Sequence, residues 1–322
     1  MTATTTTKPP TVRVAAVQAE PEWLDLPAAV RKTCSIIQDA ARQGVQLIAF
    51  PECWIPGYPA WIWARPVDME RSVAYIRNSL RYDSPEMEQI RTCAMENAIN
   101  VVLGFSENDQ GSLYISQCLL TSRGELKIPR RKIKPTHMER TVFGDCTGDS
   151  LHNVADTDVG RVGALSCWEH ANPLLKYHTY HQRELVHVAA WPPVYSHSGG
   201  AGLWSMSREG TRNLSQTYAV ESSTFVLHST SMILDKGIAR LGTADGGLMN
   251  RPGGGAAAIY GPDGRQLTED LPETDEGLVV ADIDEDKVLE TRCFLDPCGH
   301  YSRPDLLWLG VDSQAKEHVR RV

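Results

Sequence analysis

Three side chains in the 322-residue sequence are of the types used in covalent hydrolysis, and two of them stand where an apolar run stops. Cys167 ends GRVGALSC, a buried-strand pattern, and a helix starts a few residues later. In parallel α/β sheets ligands bind at the carboxyl ends of strands. A thiol there, close to helix N-terminal amides, is biased towards thiolate and has donors for an oxyanion. A buried structural cysteine fits the same position. Glu52 follows VQLIAF in the run FPECW. A carboxylate at that point is costly to bury unless it is paired or used, and burial raises its pKa towards the range of a general base. A surface glutamate at a strand exit is the alternative. Lys132 lies in IPRRKIKPTHMER (128–140), whose cations equally suit a solvated face. Spacing alone does not bring the three together.

The elements that must position them alternate. VRVAAVQ (12–18) reads as a buried strand. Asp25 and Pro27 then suit a helix N-cap and first turn, with Val30, Cys34, Ile37 and Ala41 on one apolar face and Gly44 closing it. VQLIAF (45–50) is the next strand, so the first two strands are expected to be parallel. Ser84-Pro85 opens a second helix bearing Met87, Ile90, Ala94 and Ala98, which leads into VVLGF (101–105). Strands are expected at 112–120, near 125–133, and at 160–167, 185–191, 224–230, 256–264 and 277–284. Helices are expected from about 172 to 183 and near 203–220. No linker rich in Pro, Ser or charge divides the chain, which reads as a single α/β domain over 11–310, with a disordered tail at 1–10 and a second tail at 311–322. The stretch GTADGGLMNRPGGG (242–255) matches no phosphate-binding pattern and reads as a mobile loop.

Composition narrows the function classes. With 32 Lys+Arg against 40 Asp+Glu the net charge is −8, which argues against nucleic acid or an anionic membrane as partner. No apolar run reaches the ~18 residues of a membrane span, and MTATTTTKPP has no apolar core of a secretory signal. Eight cysteines without a C-x-x-C pair, in a chain able to build a full core, suit reduced thiols in the cytoplasm. His178 and His181 have helical i, i+3 spacing, but a metal site needs further ligands and a supporting shell, so no metal is expected.

FPECWIPGYP, RRKIKPTHMERTVFG and SCWEHANPL resemble, in order, the three signatures of the nitrilase superfamily, and the resemblance runs from VRVAAVQ to GHYSRPDLL (299–307). The PTxxER and CWEH forms are similar to the nitrilase branch, and tracts such as LLKYHTYHQRE and HVAAWP look closest to fungal nitrilases and cyanide hydratases. The resemblance implies a four-layer αββα sandwich, with Cys167 as nucleophile, Glu52 as general base and Lys132 as catalytic lysine. Shorter family forms keep one lysine directly after the arginine, which favours Lys132 over Lys134. Glu139 matches a second glutamate bordering the site. Tyr58, Phe143, Trp168 and Trp191 match positions that line the pocket, and His170 is expected to orient the loop after the nucleophile. Cys146 departs from a glycine common in the family's FGDG loop, which puts the local loop shape in question.

What this implies is hydrolysis of an organic nitrile to acid and ammonia through a thioimidate and a thioester, with no cofactor. Aromatic or arylaliphatic nitriles are expected, because the pocket candidates are aromatic and Ala171, small and four positions after Cys167, leaves room for a ring. The near rival is a cyanide hydratase, which shares the triad and releases formamide from HCN. The distant one is a non-catalytic assembly protein of the same fold. The resemblance also implies a homo-oligomer, a dimer or larger spiral. Leu174, Leu175, Tyr177 and Tyr180 after the nucleophile offer more apolar surface than one core face uses. The chain stops soon after GHYSRPDLL, without the long tail of many such relatives, so assembly and pocket closure are expected to differ from theirs.

Overall fold

The computed structural model describes residues 11–317 and 319, so the expected tail at 1–10 lies outside the described residues. Its strands are β1 (Val12–Ala19), β2 (Leu47–Ala49), β3 (Asn100–Asp109), β4 (Ser112–Leu120), β5 (Leu126–Arg131), β6 (Val154–Thr157), β7 (Gly160–Ser166), β8 (Val186–Trp191), β9 (Phe225–Ser231), β10 (Ala258–Tyr260) and β11 (Gly277–Ile283). Its helices are α1 (Leu26–Arg42), α2 (Met69–Asn78), α3 (Pro85–Glu96), α4 (Pro173–His181), α5 (Arg208–Ser222), α6 (Asp235–Leu241) and α7 (Glu285–Phe294).

The two expected helix starts cap as read: Asp25 accepts from the Ala28 amide and Ser84 from the Met87 amide. The buried face of α1 is rotated from expectation. It runs through Ala29, Val30, Thr33, Ile37 and Ala40, leaving Cys34 and Ala41 half-buried. The cause is Trp54, whose Nε1 donates to Thr33 Oγ1 at 2.8 Å, so a polar residue takes the middle of the face. Two expectations were too long. The strand at 256–264 pairs only over Ala258–Tyr260 before the PDG turn, and the helix near 203–220 is a short 3-10 turn (Trp204–Met206) followed by α5.

β1, β2 and β3 run parallel, as do β7, β8 and β9. Hydrogen bonding is continuous between the two sets because β1 splits. Val12–Gln18 pair with β11, while Gln18 and Ala19 also meet Thr230 and Ser231 of β9. The sheet therefore doubles over on itself. Strand alternation sorts side chains into layers. Val14 and Ala16 of β1 face Val162, Ala164, Val186 and Leu227 between the two halves. Ala15 and Val17 face the other way, against Val30, Ile37 and Ile90 of α1 and α3. On the far side Leu165, Ala189 and Val226 pack under Leu175 of α4 and Ala219 of α5. Helices, sheet, sheet, helices is the expected αββα sandwich. Each fully buried Val or Leu in the central layer contributes about 1.5–3 kcal/mol, which fixes the registers from which the site loops leave.

Candidate active site

Glu52 leaves β2 in a turn that lies against β3. Phe50 N donates to Val102 O and Trp54 N to Gly104 O. Gly104 is required here, because a Cβ at that position would come within 2.3 Å of Pro51 O. Lys132 follows β5, its amide donating to Ile115 O of β4. Glu139 sits in a 3-10 turn (His137–Thr141) entered through a Thr136/Glu139 capping box, and Cys167 opens another (Cys167–Ala171) through a Ser166/Glu169 box. Each of the three turns that deliver Glu52, Glu139 and Cys167 contains a residue in the left-handed region: Cys53 (φ 50°), His137 (φ 46°) and Cys167 itself (φ 52°). Such residues cost about 1–3 kcal/mol each and persist where surrounding contacts hold them.

The four side chains converge. Lys132 Nζ donates to Glu52 Oε2 at 3.0 Å and to Glu139 Oε2 at 2.8 Å, and all three residues are buried. The Cys167 sulfur and a carboxylate oxygen from each glutamate lie within 4.8 Å of one another. Ser166 Oγ donates to Glu52 Oε2 at 2.5 Å, Tyr58 OH to Glu139 Oε1 at 3.2 Å and Thr136 N to Glu139 Oε2 at 2.7 Å. Among the described residues Glu52 Oε1 has no hydrogen-bond partner. Cys167, Glu52 and Glu139 are the ligand types of a metal site, but the Lys132 ammonium is already hydrogen-bonded to both carboxylates. The chemistry of the set is that of a bound ammonium.

Burial dominates the electrostatics. It raises Glu52 to about 7 against the opposing pull of Lys132, so its carboxylate exchanges a proton near neutrality. Burial also pushes the Cys167 thiol well up, reinforced by Glu52 and opposed by Lys132 and the Trp168 backbone amide. At rest the sulfur carries its proton. Burial alone would lower Lys132, but Glu139 and Glu52 carry it well above its ordinary value, so it stays charged.

A buried clamp holds the strand before Lys132 to the turn that opens on Cys167. Arg130 Nη1 and Nη2 donate to the two Glu169 oxygens at 2.9 and 2.6 Å, and the same carboxylate accepts from the amides of Ile133 and Ser166. Burial would raise Glu169, yet Arg130 and those amides hold it below the usual carboxylate range. The cation run is thus divided: Arg130 and Lys132 face in, while Lys134 is exposed and paired with Asp145 at 2.6 Å. That settles which lysine reaches the site. Sequence reasoning missed Ser166, Arg130 and Glu169, although the Ser-x-x-Glu spacing at 166–169 is a readable capping-box signal.

A cavity of about 550 Å³ opens over the sulfur. Tyr58, Trp168 and Trp191 line it. Phe143 does not. It is packed beneath, edge-on to Tyr75 at 6.0 Å, because β4 pairs with its backbone and turns the ring into the cluster of Trp61 and Tyr75. Ala171 is also displaced from expectation, since it ends the 3-10 turn facing solvent and lines no wall. The walls above the sulfur are built instead by Trp63, His137, Tyr195, Leu248 and Met249. Trp63 and His137 stack at 5.3 Å. The Gly-rich stretch supplies Leu248 and Met249, and Thr243 Oγ1 donating to Met249 O at 2.6 Å ties that loop down. His170 Nδ1 contacts Cys167 O at 2.7 Å, consistent with an orienting role. His178 meets Leu151 O and His181 stacks on Tyr177, so the two do not form a ligand pair. Cys146 is half-buried, and burial pushes its thiol up against the opposing influence of Ser150.

Comparison with known proteins follows the same lines. The chain is 62% identical over 309 residues to an arylacetonitrilase of Aspergillus kawachii (96% of this chain, 94% of that protein) and 59% identical over 309 residues to one of Hypocrea virens (96% and 94%). Among solved structures, the C. elegans NitFhit protein matches with TM-score 0.71 at 17% identity, covering 96% of this chain and 69% of that one. An amidase from Nesterenkonia matches with TM-score 0.62 at 18% identity (88% and 98%). At such identities the likeness concerns the fold. The carbon-nitrogen hydrolase family model matches residues 13–292. By that match and by the relatives it shares most of its sequence with, the chain belongs to the carbon-nitrogen hydrolase family.

Proposed function

We propose that this protein is a nitrilase that converts arylacetonitriles to arylacetic acids and ammonia, with Cys167 as nucleophile. The observation that carries the proposal is that Cys167 and Glu139 line an aromatic cavity, with Glu52 and Lys132 buried directly against them. Relatives of up to 62% identity named arylacetonitrilase support the substrate class. Glu52 accepts the thiol proton as the sulfur attacks the nitrile carbon, and the nitrile nitrogen is protonated to give a neutral thioimidate. Water adds to that carbon, the C–N bond breaks, and ammonia leaves a thioester. A second water, deprotonated by Glu52, displaces the thiol and yields the acid. Lys132 opposes the negative charge of both tetrahedral species, a role in which losing one donor costs ~3 kcal/mol or more.

The cavity argues for an aryl group over cyanide. HCN gains nothing from walls of Trp63, Trp168, Trp191 and Tyr195, whereas a phenyl ring buried there gains ~2 kcal/mol. The test is kcat/KM for phenylacetonitrile, benzonitrile, a short aliphatic nitrile and cyanide, with acid, amide and ammonia resolved. Phenylacetonitrile leading, with acid dominant, supports the proposal. Cyanide leading, with formamide dominant, replaces it by a hydratase.

The proposal extends to a cytoplasmic enzyme with residues 11–310 as one domain, supported by eight free cysteines. Among the described residues no helix is long and apolar enough to cross a membrane. It extends also to a homo-oligomer. Of the apolar residues of α4, Leu175 is buried and Tyr177 and Tyr180 are half-buried, but Leu174 stands 64% exposed. Light scattering should give a mass of two or more chains, and a monomer across micromolar concentrations contradicts this.

A further inference from the structure

Behind the nucleophile turn lies a buried chain of polar side chains that the reaction does not touch. His170 Nδ1 contacts Cys167 O at 2.7 Å, His170 Nε2 contacts His187 Nε2 at 3.0 Å, and His187 Nδ1 contacts Glu184 Oε2 at 3.0 Å. Tyr218 OH donates to the other Glu184 oxygen. All four side chains are fully buried. They come from four places: the turn after β7, the end of the α4 connection, β8 and α5. The rings are held in plane, His187 against Tyr218 at 3.8 Å and His170 against Trp191 at 5.5 Å. Room for the carboxylate is made by Gly163 of β7, where a Cβ would come within 1.8 Å of Glu184 Oε2.

Donor counting fixes the protons. A carbonyl oxygen only accepts, so His170 Nδ1 must carry hydrogen. Burial holds His170 well below its ordinary pKa, helped by facing His187 and His228 and by Lys176, so the ring is neutral and its Nε2 is bare. His187 Nε2 must then donate to it. A neutral His187 would present a bare Nδ1 to a bare carboxylate oxygen, which is a repulsive contact. One further proton between His187 Nδ1 and Glu184 Oε2 removes the conflict, whichever atom holds it. The chain then runs in one direction, every contact donor to acceptor, ending on the carbonyl of the Cys167–Trp168 peptide. The N–H of that same peptide unit, on Trp168, is the backbone donor facing the Cys167 sulfur. A hydrogen bond accepted by a peptide carbonyl makes its N–H a better donor.

We propose that Glu184, His187 and His170 are positioning residues that use one trapped proton to hold the Cys167–Trp168 peptide oriented and polarised, with its N–H on the sulfur. The proposal deepens the nitrilase reading by assigning regulation of the nucleophile's acidity. The test does not depend on nitrile turnover. The first measurement is the nitrogen NMR of histidine-labelled protein, unaltered. It should show His170 as the Nδ1–H tautomer and His187 Nε2 protonated, and a His170 bare at Nδ1 overturns the proposal.

The second is the pH profile of Cys167 alkylation by iodoacetamide, where Glu52, Lys132 and Glu139 are the charged groups facing the sulfur. His187→Leu should move its midpoint up by about one pH unit, a roughly tenfold loss of thiolate at neutral pH. Glu184→Gln should leave it in place, because the amide donates to neutral His187 and still accepts from Tyr218. A parental profile in folded His187→Leu, or a Gln variant as shifted as the Leu variant, contradicts the role. Should His187→Leu fail to fold, the tautomer and the Gln variant decide. A protein that shows these shifts yet releases no ammonia from nitriles refutes the nitrilase reading alone. Turnover without them refutes the positioning chain alone.

Discussion

At the Cys167 sulfur two opposed carboxylates and one ammonium set the proton balance. Because Glu52 must be ionised to accept the thiol proton, and burial raises it to about 7, kcat/KM should rise with pH through that region. The acid limb loses activity as pH falls below it. A rate profile flat from pH 5 to 8 would mean that Glu52 is not the base. The lysine pair offers a sharper contrast. Lys132→Ala should be inactive, whereas Lys134→Ala, altering an exposed ion pair with Asp145, should stay within about tenfold, or ~1.4 kcal/mol of barrier. Ammonia release by the two variants checks this. These residues were legible because Glu52, Lys132 and Cys167 sit in long motifs. Phe143 was misread for a related reason, since a motif fixes where a residue falls in the chain and says nothing of which face its ring turns to. Ser166 was overlooked because a small hydroxyl beside a cysteine carries no signal of its partner 114 residues away.

Among the elements, the Arg130–Glu169 clamp joins β5 to the turn after β7 and so sets the distance between Lys132 and Cys167. Arg130→Met leaves the Glu169 carboxylate buried without its cation. Breaking a buried pair on one side costs about 3–5 kcal/mol, so denaturant unfolding should shift by that amount and activity should fall with it. Unchanged stability would show that Glu169 is held by the Ile133 and Ser166 amides alone. The central strands β7 and β8 were readable from the runs GRVGALSC and VHVAAW, apolar on both faces because both faces are covered. Helices α2, α6 and α7 were not foreseen. α6 is short, with Gly237, Ile238 and Leu241 buried, and the buried positions of the other two are few, Tyr75 in α2 and Val288 in α7, so no long buried face marks them. The face of α1 was misplaced because Thr33 is buried through a hydrogen bond, which hydrophobic spacing does not register.

For the whole molecule, the doubled sheet brings the ends of β2, β5 and β7 to one buried cluster, and the walls of the cavity above it come from loops far apart in sequence. Those loops, with Leu248, Met249 and Tyr195, were invisible as walls because they follow no period. The walls should decide substrate choice. Trp191→Ala should raise KM for phenylacetonitrile by about tenfold (~1.4 kcal/mol) with little change for a short aliphatic nitrile. Phe143→Leu should leave KM for both unchanged, as its ring lies beneath the cavity and not on it. Equal effects of the two substitutions would mean that the cavity is not where the substrate sits. The central claim is that turnover passes through a covalent bond to Cys167. Protein quenched with acid during turnover of phenylacetonitrile, then digested and weighed by mass spectrometry, should carry an arylacetyl or thioimidate adduct on the Cys167 peptide and on no other. An adduct elsewhere, or ammonia release that persists in Cys167→Ala, would contradict it.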